Sequence, residues 1–279
     1  MANDDKTEES ELRRDIASRF ERRLVINVPS RHNKRLIQIL ERVNDDDELY
    51  GLWIAANVNA VERLDMTDHG PVHVKIVMNL AVRLLRLLMD AGVEPGVVRN
   101  YGMERADAEV VVALASLLHD VGMSIHRADH EEFSLFIARA KLRELLAGIY
   151  SPQELVIVQS EILHAIISHR SGGKPLTPEA GVVRVADALD MAKGRSRIPF
   201  ESGSVSIHSV SAAAVESVSI GKGDGRPVLV TIELSNSAGL FQLDQLLRVK
   251  LKGSGLEEWV EIHAKVGDEE KRLLTDFRL

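Results

Sequence analysis

The stretch Ser116–Glu132, SLLHDVGMSIHRADHEE, decides how the rest of the chain is read. An apolar run, Val110–Leu118, stops at His119-Asp120, and His126 and His130 follow closely. The chain holds only 10 histidines, so three of them beside an aspartate at the end of a buried helix require a chemical reason. Neighbours on a regular helix point about 100° apart, so His119 and Asp120 reach one point only if the helix ends there. Gly122 permits such a break.

The same interruption recurs outward from this stretch. His73 follows Pro71 at the start of a helix, His130 opens another, and His164 and His169 lie in the last turns of EILHAIISH. Asp187 is embedded in VVRVADALD. A buried, unpaired carboxylate costs several kcal/mol, so each of these groups needs a partner. There are no cysteines, so any metal must use His, Asp or Glu. Imidazole with carboxylate suits one or two divalent ions drawn from Mn, Fe, Ni, Zn or Mg. His32, His208 and His263 lack acidic company and read as ordinary. His164 and His169 are five residues apart, a poor fit to one helix face, so either can be the ligand. His126 reads either as a cap or partner of Asp129 or as a proton donor.

Composition bounds the class. The 279 residues allow one large domain, or one domain with a small appendage. With 45% hydrophobic and 28% charged residues, most of the chain should be globular. A net charge of -7 without a long basic patch gives no support for extended nucleic-acid binding. The longest clean apolar run is about eleven residues, too short for a bilayer. Met1–Ser10 is acidic and polar and does not read as a secretory signal, so a cytoplasmic protein is expected.

Helical patterns fill the first two hundred residues. SRHNKRLIQILERV offers Ser30 as a cap and Leu36, Ile37 and Leu40 as one face. The segment from Pro71 to Gly92 carries a stripe of Val74, Val77, Leu80, Ala81, Leu84 and Leu88. DAEVVVALASLL is apolar nearly all round and should be central. Ser151-Pro152 and Thr177-Pro178 mark two further helix starts. After Arg197 the character changes: VSIHSV, VESVSIGKG, PVLVTIELS and EEWVEIHAKV read as strands, with GKGDGRP as a hairpin connection. AGLFQLDQLLRVKL reads as a helix with Leu240, Phe241, Leu243, Leu246 and Leu247 on a broad apolar face. The expected architecture is mainly α: a disordered tail over 1–15, a helical body over 16–199 and a small α+β unit over 200–279. A unit of about eighty residues buries a modest core, so it should pack on the body or on a second copy, a homodimer. It carries no residue set suited to catalysis, so it is expected to serve interaction or regulation and to stand apart from the metal site.

The ordered segments HVKIV, LLHDVG, HEEFSLFIA, AIISHRSGG and VADALD, spanning about Pro71 to Gly194, resemble the HD-domain superfamily of metal-dependent phosphohydrolases. The resemblance implies a first ion held by His73, His119, Asp120 and Asp187. It implies a second site from His130 and His169, with His164 as a further candidate, bridged by Asp120. His73 is preferred to His69 on its spacing to Val77. The nearest pattern is that of the HD-GYP cyclic-dinucleotide phosphodiesterases. The chain departs from it at Met123, where that group usually has lysine, and no GYP follows His169, so cyclic di-GMP is not implied.

The chemistry implied is hydrolysis of a phosphate ester, of a nucleotide or related phosphorylated small molecule, by a metal-activated water. Asp120 and His126 are the catalytic candidates, with His126, or whichever of His164 and His169 is not a ligand, as donor to the leaving oxygen. Arg127, Arg170, Lys174, Lys193, Arg195 and Arg197 are candidates to clamp phosphate. The last three equally fit favourable cations at a helix C-terminus. Two other functions stand beside this one: a di-iron oxygenase on the same ligand order, and an inactive metal-binding sensor module.

Overall fold

A computed structural model describes residues 23–29, 33–170, 172–191 and 211–267. The tail at 1–15, the Ser30 cap, the strand at 205–210, the body–tail boundary at 199/200 and the cations Lys193, Arg195 and Arg197 fall outside the described residues. Eight α-helices of six or more residues precede the sheet among those residues. They are α1 Lys34–Asp45, α2 Asp47–Asn57, α3 Pro71–Asp90, α4 Gly96–Tyr101, α5 Arg105–Leu118, α6 His130–Leu145, α7 Pro152–Ser168 and α8 Pro178–Leu189. Their starts follow local chemistry. Ser151 and Thr177 accept from the backbone N–H three residues on, with proline at the next position. Helix α1 is capped by Asn33, which accepts from Leu36 N. Its buried stripe is Leu36, Ile39, Leu40 and Val43, whereas Ile37 is 39% exposed. Leu36 and Leu40 of the expected face are thus buried, and Ile39 rather than Ile37 completes it.

Helix α5 is the axis. Every residue from Asp107 to Leu118 is buried, as an all-round apolar pattern requires, and α3, α7 and α8 pack against it. Full burial of each Leu or Val side chain here contributes about 1.5–3 kcal/mol. On α3 the expected stripe is buried except Leu80, which is partly exposed. No helix among the described residues is long and apolar enough to cross a membrane.

The C-terminal unit is a three-stranded sheet in the order β1-β2-β3, with β1 Val215–Lys222, β2 Val228–Leu234 and β3 Val260–Val266. Strands β1 and β2 form an antiparallel hairpin, and β3 joins β2 in parallel. A parallel neighbour needs a crossover, and residues 240–251 supply it as helix α9. A π turn at Leu243–Leu247 rotates α9's face. Leu247 is fully buried, while Leu240 and Leu246 are 46% and 42% exposed, so the broad apolar face expected from sequence is not presented as one stripe. Among the described residues the sheet shares its core with the helical body. Val228, Val230, Ile232 and Val260 belong to the same hydrophobic cluster as α3 and α5. Strands β1 and β2 touch α3, and α9 touches α8.

Candidate metal centre

Five elements deliver the polar residues to one place. Asp68 accepts from the backbone N–H of Gly70 and of His73, at 3.1 Å each, and so starts α3 with His73 in its first turn. Helix α5 ends at Leu118; His119 keeps helical torsions, but Asp120 does not. That end is braced from three sides. Trp53 Nε1 donates to Leu117 O, Asn59 Nδ2 to Met123 O, and Ser134 Oγ to His119 O. Gly122 serves close packing here. A Cβ on it would stand 2.1 Å from His130 O, because α6 crosses directly over the turn. His130 opens α6 after Asp129, whose left-handed backbone (φ 59°) an aspartate tolerates. His169 caps the end of α7, and Asp187 lies in the last turn of α8.

The side chains converge on the Asp120 carboxylate, one pair of rings at each oxygen. Its Oδ2 lies 3.4 Å from His73 Nε2 and 3.2 Å from His119 Nε2. Its Oδ1 lies 3.2 Å from His130 Nε2 and 3.6 Å from His169 Nε2. Asp187 Oδ1 completes the first half, 3.6 Å from His73 Nε2 and 3.7 Å from His119 Nε2.

The far nitrogen of each ring is already committed. His73 Nδ1 donates to Asp190 Oδ2 at 2.6 Å, His119 Nδ1 to Ser116 O at 2.8 Å and His169 Nδ1 to Ile166 O at 2.6 Å. His130 Nδ1 lies 3.0 Å from both Arg127 O and Glu131 Oε2 and 2.9 Å from Arg127 Nη1. With Nδ1 so held, the Nε2 atoms of His73, His119 and His169 face inward, where each can offer its lone pair to an ion that displaces any proton there. A divalent ion with bonds of about 2.1 Å holds adjacent ligand atoms roughly 3.0–3.4 Å apart. The observed spacings sit close to those edges, so the residues present fit a metal.

The electrostatics agree with a cation-binding role. Burial opposes ionisation of Asp120, but His119 outweighs it and the carboxyl is held well below its usual range. Burial likewise opposes charge on His119, yet Asp120 and Asp187 push its pKa up to about 10. His169 moves the other way, to about 3, through burial first and then the neighbouring His119 and Lys250. One proton is thus held tightly where a metal would bind. For Asp187, burial is offset foremost by the Lys250 ammonium, and its carboxyl is also held well below the usual range.

Of the residues singled out from sequence, His73, His119, Asp120, His130, His169 and Asp187 come together. His164 does not join them. Its Nε2 accepts from Leu176 N at 3.0 Å and its Nδ1 lies 3.3 Å from Ser168 Oγ, so it tethers the following loop. His126 and Arg127 are exposed on the loop before α6, with Arg127 Nη1 2.9 Å from His130 Nδ1. Arg170 pairs with Glu132 at 2.6 Å, and Lys174 is exposed. Sequence reasoning missed Asp190, which orients His73, and Glu131 beside His130. It also passed over His69, whose Nε2 is 3.9 Å from Asp120 Oδ2. The C-terminal unit was expected to stand apart, but Lys250 on α9 reaches Asp187 Oδ2 at 3.2 Å. Hydropathy alone carries no signal for that contact.

A family model described as HD domain matches residues 72–192, which include all six converging residues. A relative from Methanocaldococcus jannaschii, with the name Uncharacterized protein MJ1020, is 42% identical over 224 residues. The match covers 80% of this chain and 86% of that protein.

Proposed function

The chain belongs to the HD-domain superfamily, and on that premise we propose that it is a metal-dependent phosphohydrolase acting on a phosphate ester of a nucleotide or related phosphorylated small molecule. The observation that carries this reading is the division of Asp120, with one oxygen facing each pair of imidazoles. His73, His119, Asp120 Oδ2 and Asp187 Oδ1 would hold one divalent ion; His130, His169 and Asp120 Oδ1 would hold a second. A nitrogen-rich donor set favours Mn, Fe, Ni or Zn over Mg. Bound ions supply acidification of a water and neutralisation of phosphate charge.

The chain's own groups do the rest. Asp190 and the carbonyls of Ser116 and Ile166 lock ring orientation, so the ligands need little reorganisation. The apolar end of α5 keeps bulk water from the inner side of the site. Arg127 lies three residues before His130 and Arg170 directly after His169, and both would bring positive charge to an incoming phosphate, Arg170 by exchanging its Glu132 partner. His126 accepts from Ala128 N at Nδ1, at 3.0 Å, which leaves its proton on Nε2. As imidazolium it would hand its Nε2 proton to the departing alkoxide and become neutral imidazole.

The test is phosphate release by protein stripped of metal and reloaded with Mn, on a panel of nucleoside and sugar phosphate mono- and diesters. Release from at least one class, abolished in His126→Ala more than in His164→Ala, supports the reading and the role of His126. Metal-loaded protein that releases no phosphate, but consumes dioxygen when loaded with iron, contradicts it and favours the oxygenase.

A further inference from the structure

Lys250 lies near the C-terminal end of α9, 63 residues from Asp187 in sequence. Its Nζ donates to His169 O and to Asp187 Oδ2, the latter at 3.2 Å. The two side chains of this pair are only 15% and 17% exposed. The same turn of α9 is fastened by Arg184. That guanidinium donates to the carbonyls of Lys250 and Val249 on one side, and to those of Ser168, Arg170 and Gly173 on the other. Arg184 and Asp187 lie one turn apart on α8, so the C-terminal unit is bolted to the element and the loop that carry Asp187 and His169.

We infer that Lys250 is a positioning residue of the metal centre, and that the C-terminal unit completes the centre through it. A carboxylate has two equivalent oxygens and turns about its last bond unless one is held. Lys250 holds Oδ2 of Asp187, so Oδ1 faces His73 and His119. It also holds the His169 carbonyl, which fixes the residue at the end of α7 whose Nε2 faces Asp120. The arrangement favours a single oxygen of Asp187 as ligand. The inference rests on the reading of this cluster as a metal centre, but not on the reaction it performs.

Two effects of Lys250 oppose each other. An ammonium near a dication repels it, so a purely electrostatic role means that loss of the charge tightens metal binding. A positioning role means that loss of the side chain weakens it, typically by roughly 10–100-fold for groups that orient ligands. The test is titration of the full-length chain with Mn(II), read by calorimetry and by electron paramagnetic resonance. Lys250→Met should bind Mn at least about 10-fold more weakly than wild type. The exchange-coupled spectrum of a bridged pair should give way to that of isolated ions, and Lys250→Arg should recover part of both. Equal or tighter binding by Lys250→Met, with an unchanged spectrum, overturns the inference. If Lys250→Met does not fold, Lys250→Gln is judged by the same criterion. A wild-type chain that takes up no Mn removes the metal reading, and this inference with it. A wild-type chain that binds Mn but hydrolyses nothing leaves the inference to be decided by the variants.

Discussion

Asp120 offers one oxygen to His73 and His119 and the other to His130 and His169. Asp190, by contrast, holds the far side of His73. Asp190→Ala should therefore keep the fold and lower metal affinity by roughly 10–100-fold, because the ring loses the acceptor that fixes its tautomer. Circular dichroism beside a metal titration separates these effects. Gly122 makes a different demand. Gly122→Ala places a methyl 2.1 Å from His130 O, so α5 and α6 must separate. A loss of roughly 2 kcal/mol or more in denaturant unfolding is expected. Glu161 offers a pH test away from the centre. Burial, then repulsion from Glu179, raise its carboxyl above the ordinary range, and Glu161 Oε2 is buried without a partner. A raised acid contributes its full stability below the unfolded pKa, about 4.3, and loses it as pH rises through the folded value. Glu161→Gln should thus melt higher than wild type at pH 7, with the advantage fading below about pH 4. An advantage that persists in acid would refute this account.

At the scale of elements, the helix ends did most to reveal the site. Polar residues that interrupt apolar helices were legible because nothing else explains their cost: His119-Asp120 closes α5, His130 opens α6 and His169 closes α7. The period of 3.6 also placed most of the buried stripe of α3. What stayed hidden needed three-dimensional contacts. His164 shares the apolar face of α7 with residues around it, yet the loop beyond α7 turns back and occupies its Nε2 through Leu176 N. Asp190 reads as an ordinary polar residue past a helix end until α3 is laid beside α8. The π turn of α9 defeats any regular-helix reading of its leucines. Arg184 marks the strongest joint between elements. Arg184→Met removes the guanidinium donor from five carbonyls, most of them part-buried, and should cost roughly 2–4 kcal/mol. Lys250→Arg, which retains a cation, should cost less by the same unfolding measurement.

For the whole molecule, the continuous cluster from α3 through the sheet means that the C-terminal unit shares its stability with the body. Calorimetry should record one cooperative transition, and two separated transitions would show an independent unit. The account as a whole stands on Asp120 as the residue shared by both halves of a metal centre. Its most direct test is the metal content of purified wild type and Asp120→Ala after loading with excess Mn(II) and desalting. The account predicts bound Mn in wild type, up to two ions per chain, and its loss in a folded Asp120→Ala. Undiminished Mn in that variant would contradict it.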